Sequence, residues 1–193
     1  MKPPLVLLDA NVIIEAHELG LWHGMVAFFE VMVPAVVARH EAKYFVVGGQ
    51  HNPIQLASLI AQNKVKELQA DLRELSELMN QFDPLFSESI DPGEQEALAL
   101  MLAGRCPEHR FCSADARPLQ ALAMLDMSDR GISLEELLQK MGQSKRLDEH
   151  FTRACLERQI REGQRRRIQG DGLSLKSRFR ISKFGMVSIR ASV

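Results

Sequence analysis

Apolar and polar positions along this chain fall into blocks of strand and helix length, and the blocks alternate. Residues 5–8 (LVLL) form an apolar run of strand length leading into Asp9. Asn11 stands where an N-cap would start a helix through about residue 19, and Gly20 would stop it. "AFFEVMVP" (27–34) reads as a second strand, with Pro34 in the first turn of a helix running to about residue 47. "GGQHNP" would end that helix. From 53 to 80 the pattern is helical, with Leu68, Leu72, Leu75 and Met79 recurring among charges and a break near Asn63. "DPGEQEALALMLAG" carries a full set of helix signals: Asp91 as N-cap, Pro92 next, Glu94 three past the cap and Gly104 at the end. "HRFCSAD" (109–115) reads as a third strand, followed by a short helix over 119–125. "DRGISLEELLQKMG" then predicts a turn and a capped helix closed by Gly142. Strands alternating with helices predict an α/β fold with a parallel sheet covered on both faces.

Beyond Gly142 the pattern loosens. Leu147, Phe151 and Cys155 fall four apart, as on a docked helix over 143–162. "GQRRRIQGDG" reads as a loop or linker. "LKSRFRISKFGMVSIR" mixes basic and apolar residues, leaving a hairpin, an arm that orders on RNA and plain disorder all open for a basic tail over 163–193.

Composition adds a charge asymmetry. The net charge of -1 divides into 13 Lys/Arg against 5 Asp/Glu from Lys145 onward, and 11 against 20 before it. An acidic body can hold cations and a basic tail can meet a polyanion, although a solvated extension accounts for the tail equally well. No stretch nears the roughly 18 apolar residues of a membrane span, and the opening lacks a secretory pattern. Three cysteines, odd in number and without zinc-like spacing, predict reduced thiols in a cytoplasmic protein.

The acids are the candidate chemistry. Asp9 and Asp115 end predicted parallel strands, where ligands gather, though either taken alone reads first as an ordinary helix cap. Glu41 interrupts the apolar stripe of Val37 and Phe45, or sits at its edge and pairs with Arg39 or Lys43. Glu94 heads a stripe with Ala97, Leu98 and Met101 and can also complete a capping box. Glu96 lies about 200° round the helix from Glu94 and is a supporting candidate. Carboxylates this close would repel unless a cation intervened, and an all-oxygen set selects Mg²⁺ or Mn²⁺ over zinc. The histidines are scattered, with no Ser-His-Asp or Cys-His arrangement, and no P-loop or dinucleotide motif is present.

"LLDANVIIEAHELG", "VPAVVARHEAKYF", "GEQEALALMLAG" and "FCSAD", in that order, resemble the PIN-domain nucleases, the family of the VapC-type toxins. "GEQEALAL" is similar to the subgroup with a G-E-x-E-A helix. The resemblance spans residues 1–142 and implies a three-layer α/β/α sandwich around a central parallel sheet. It further implies that Asp9, Glu41, Glu94 and Asp115 are catalytic and hold one or two Mg²⁺ or Mn²⁺ ions, with Asn11 and Ser113 orienting a carboxylate, a metal water or a phosphate. The implied activity is endoribonuclease cleavage by metal-activated water, either in a toxin with a cognate antitoxin protein or in an RNA-processing nuclease. A homodimer through the apolar helices of 54–80 would fit dimeric relatives. Arg165, Arg166 and Arg167 are expected RNA contacts, as is Arg117, two past Asp115, which reads otherwise as a solvated arginine at a helix start. The competing expectation is a non-catalytic module that grips RNA through "RQIREGQRRR" (158–167).

Overall fold

The computed structural model describes residues 4–179. Strand β1 (Leu5–Leu8) leads into helix α1 (Ala10–Glu18), then α2 (Trp22–Phe28) and β2 (Glu30–Pro34). A π-helical turn (Val37–Glu41) precedes the hairpin β3 (Tyr44–Val47) and β4 (Gln50–Pro53). There follow α3 (Leu56–Ala61), β5 (Val65–Leu68), α4 (Leu72–Met79), α5 (Pro84–Ser87), α6 (Pro92–Leu102) and β6 (Arg110–Cys112). The chain continues through α7 (Ala116–Met124), α8 (Leu134–Lys140) and α9 (Arg153–Gln169).

Four strands form one parallel sheet in the order β5-β2-β1-β6. The central strands β1 and β2 are apolar on both sides because both sides are covered. Leu8, Val33 and Cys112 point into a core shared with α1, α2 and α8, whereas Leu7, Met32 and Phe111 point into one shared with α4, α6 and α7. The fold is therefore α/β, a central parallel sheet flanked by helices on each face. Among the described residues, no helix is long and apolar enough to cross a membrane. The three cysteines are buried, free thiols.

Several elements differ from the sequence expectation. The helix expected from Pro34 to about residue 47 ends at Glu41, and Tyr44–Val47 form a strand instead. Aromatic and β-branched residues favour the strand, and Gly48 (φ +60°) and Gly49 (φ +78°) supply the two positive-φ residues of a two-residue hairpin turn. The helical pattern of 53–80 is interrupted by edge strand β5 as well as by the break at Asn63 (φ +57°). Helix α2 takes in Ala27 and Phe28, so the second strand starts only at Glu30. The cap of α1 is Asp9 rather than Asn11. Finally, "GQRRRIQ" is the second half of α9, a single helix that ends at Gly170 with φ +72°. Of the proposed tail, residues 180–193 lie outside the described residues. The preceding stretch folds back, with Leu173 buried against the α4/α6 side and the Ser174 hydroxyl donating to the Asn80 carbonyl at 2.7 Å.

Candidate metal centre

The carboxyl ends of β1 and β6 lie side by side because Leu8 is in register with Cys112. Asp9 follows the first strand immediately, and Asp115 follows the second through Ser113 and Ala114. Helix α6 brings Glu94 to the same edge from its first turn. One carboxylate oxygen from each of Asp9, Glu94 and Asp115 lies within 4.8 Å of the others. Asp9 is 4% exposed and Glu94 3%.

Asp9 and Glu94 each give one oxygen to a backbone N–H and turn the other toward the Ser113 hydroxyl. Asp9 Oδ1 accepts from the Ala10 N–H at 2.6 Å, capping α1, while Oδ2 lies 3.3 Å from the Ser113 hydroxyl. Glu94 Oε2 accepts from the Asp91 N–H at 3.2 Å, and its Oε1 faces the same hydroxyl at 3.1 Å. Capping and clustering thus coexist in single side chains. The Asn11 amide donates to Asp115 Oδ2 at 2.7 Å, and the Asp115 N–H donates to Ser113 Oγ at 3.0 Å. Asn11 and Ser113 are therefore the two side chains that fix how the acids point.

Glu41 stands outside the triplet but beside it. Its Oε1 accepts from the Gly93 N–H, at 3.0 Å, on the first turn of α6. The π-helical turn, closed by Ala42 N–H to Val37 carbonyl at 3.0 Å, presents both Val37 and Glu41 to that glycine. A Cβ on Gly93 would collide with Glu41 Oε2 and lie 2.6 Å from Val37 Cγ2. Gly93 therefore belongs to the site, and the sequence reading missed it. Its signal was a glycine inside the first turn of an otherwise strong helix, where alanine would be favoured by about 1 kcal/mol. Such a glycine marks a close approach.

The electrostatics are those of crowded, like-charged groups. Burial, with the charges of Asp115 and Glu41 adding, pushes the Asp9 carboxyl up to about 7 against the bond from Ala10. Burial and the charges of Asp9 and Asp115 push Glu94 up to about 9. Glu41 is raised by burial, with Asp91 and Glu96 contributing. Among the described residues, no lysine or arginine forms an ion pair with any of the four. Hard oxygen donors in this arrangement suit a divalent ion such as Mg²⁺ or Mn²⁺, which would replace the missing positive charge.

Glu96 has a different task. Buried on α6, it accepts from the Val36 N–H at 2.7 Å and the Ala70 N–H at 3.0 Å. It thereby ties the segment after β2 to the segment after β5, and it supports the site by fixing where the π-helical turn begins.

The four arginines named from the sequence separate into two groups. Arg165 pairs with Glu162 at 2.6 Å, Arg166 with Glu162 and Asp171, and Arg167 with Asp126 at 2.9 Å. Arg117, in the first turn of α7, has no carboxylate partner among the described residues. It lies over the Phe86 ring at 5.7 Å and donates to Gln120 Oε1 at 3.3 Å.

Comparison of the chain with protein-family models, with curated proteins and with solved structures returned no match.

Proposed function

We propose that this protein is a divalent-metal-dependent endoribonuclease of the PIN type. The observation that carries the proposal is the convergence of Asp9, Glu94 and Asp115 at the carboxyl end of a parallel sheet, with no lysine or arginine ion-paired to them among the described residues. Asp9, Glu94 and Asp115 would hold the ion, with Glu41 completing the set from the π-helical turn. When bound, Mg²⁺ or Mn²⁺ supplies an activated water and neutralises charge developing on the phosphate. The chain's own part is to aim the acids. Asn11 holds Asp115, Ser113 spans Asp9 and Glu94, and the Gly93 N–H holds Glu41. Substrate RNA would lie across this edge of the sheet with its scissile phosphate facing Asp9 and Asp115.

Binding of RNA by an inert scaffold through 158–167 draws less support, because Arg165, Arg166 and Arg167 are already paired with acids. The same catalytic site would serve a toxin or a processing nuclease, and a small antitoxin gene alongside would mark the former. The direct test is cleavage of a labelled single-stranded RNA with Mn²⁺, with Mg²⁺ and with EDTA. Wild type should cut only with metal, and Asp9→Asn should lose at least two orders of magnitude in rate, the scale of removing a principal transition-state stabiliser. Cleavage that persists in EDTA or in Asp9→Asn would sink the proposal.

A further inference from the structure

Arg117 lies two residues past Asp115, and it is set apart from the arginines of α9. Along α9, Arg153, Arg158, Arg161, Arg165, Arg166 and Arg167 all pair with carboxylates. Arg117 keeps its charge uncompensated among the described residues, yet it is not loose. Its guanidinium lies 5.7 Å from the centroid of Phe86, a ring it shares with Arg166 at 5.9 Å, and bonds to Gln120. Gln120 is 7% exposed, and its amide nitrogen donates to Gln159 Oε1 of α9 at 2.8 Å. That bond turns the Gln120 carbonyl oxygen toward Arg117 and its nitrogen away. One turn further along α9, Gly163 sits against the Gln120 backbone, so the docking of α9 and the orientation of the Gln120 amide are fixed together.

Resting on the nuclease reading above, we infer that Arg117 is a phosphate-binding residue for the RNA strand and that Gln159 of α9 positions it through Gln120. A guanidinium held by an aromatic face and a neutral amide keeps its forked donors and its full charge for an anion. The acidic cluster repels a polyanion until metal is bound, so a cation anchored two residues along the chain from Asp115 has a clear use. Helix α9 thereby serves substrate binding without touching RNA.

The test measures binding of a fluorescein-labelled 12-nucleotide single-stranded RNA across a KCl series, in the Asp9→Asn background with Mg²⁺ so that the RNA survives. Arg117→Ala should weaken binding about tenfold, as for loss of one charge-assisted hydrogen bond. The slope of log K against log[salt] should fall by about 0.7, the value for one phosphate contact on a single strand. Gln159→Leu should weaken binding severalfold, Gln159→Glu, which keeps the acceptor, should restore it, and Gln159→Leu should add nothing in the Arg117→Ala background. In the active enzyme, Arg117→Ala should raise KM and leave kcat close to wild type. If wild type cleaves RNA but Arg117→Ala keeps its affinity and salt slope, the inference fails and the nuclease reading stands. Weakened binding on replacing Arg165, Arg166 and Arg167, but not Arg117, would also overturn it. A Gln159→Leu effect that adds fully to that of Arg117→Ala would show a merely structural role for Gln159. Absence of any metal-dependent cleavage by wild type would instead remove the nuclease reading beneath it.

Discussion

Glu94 shows how much one side chain can carry. One of its oxygens serves the start of α6 and the other faces Ser113 and the cluster, at 3% exposure. Its carboxyl is raised from 4.5 to about 9 and that of Asp9 from 3.8 to about 7, so the folded state holds protons that the unfolded chain would release. The associated stability is fully present below the unfolded values and is lost as pH rises toward the folded ones. Metal-free protein should therefore lose Tm steadily between about pH 4 and pH 9. Adding Mg²⁺ or Mn²⁺ should restore it most strongly at the alkaline end, because the ion binds the ionised acids of the folded state. Glu94→Gln keeps an acceptor for the Asp91 N–H and needs no proton taken up on folding, so in EDTA at pH 8 it should melt higher than wild type while losing cleavage. Thermal scans across pH, with and without metal, check both outcomes. A flat profile in EDTA would mean that the cluster is not strained.

Among the elements, the π-helical turn and the first turn of α6 act as a pair, meeting through the Glu41 carboxylate and the Gly93 N–H. Gly93→Ala places a methyl against Glu41 and Val37, and overpacking of this kind costs about 1–3 kcal/mol. Stability should drop by that amount, and activity should drop by far more than the lost stability explains. Measuring urea unfolding beside RNA cleavage separates the two effects. The same region shows where sequence reading stops. The acids Asp9, Glu94 and Asp115 were legible because each sits at a strand end or a capped helix start, and local pattern identifies both. Glu41 was legible as an acid in an apolar stripe, but the stripe was misread as an α-helix running on through Phe45. Phe45 is instead on β3, packed edge-on to the His17 ring at 5.0 Å. Periodicity over one or two turns does not separate a π turn followed by a strand from a longer helix, whereas Gly48-Gly49 did carry the hairpin signal. Edge strand β5 was hidden because "VKEL" is polar enough to pass for a helix surface, and only its pairing with β2 makes it a strand.

Across the whole molecule, strands β1, β2 and β6 with helices on both faces followed from strand–helix alternation, but edge strand β5 and the chain beyond Gly163 did not. The first half of α9 falls within the docked helix expected over 143–162, but its second half, from Gly163, reads as a loop or linker because its charge hides the packing face of the helix. That face holds Cys155, Leu156 and Gly163, which are buried, and it rests mainly on α7. Gly163 allows the crossing, since a Cβ there would collide with the Gln120 carbonyl oxygen and lie 2.8 Å from Ala123 Cβ. Gly163→Ala should therefore destabilise the molecule by about 1–3 kcal/mol, a fall of several degrees in Tm for a chain of this length. An unchanged Tm would show that α9 contributes little to the fold.

The adjacency of β1 and β6 has a consequence in time. Asp9 directly follows β1, and its neighbour at the centre comes 104 residues later in the chain, the separation between Asp9 and Ser113. At about 5–20 residues per second, a growing chain carries the first carboxylate for several seconds before the last exists. Strand β1 has no β6 to lie against until then. Were the centre to cut RNA as proposed, it would be kept inert beside the messenger being read, since its acids come together only when β6 reaches β1.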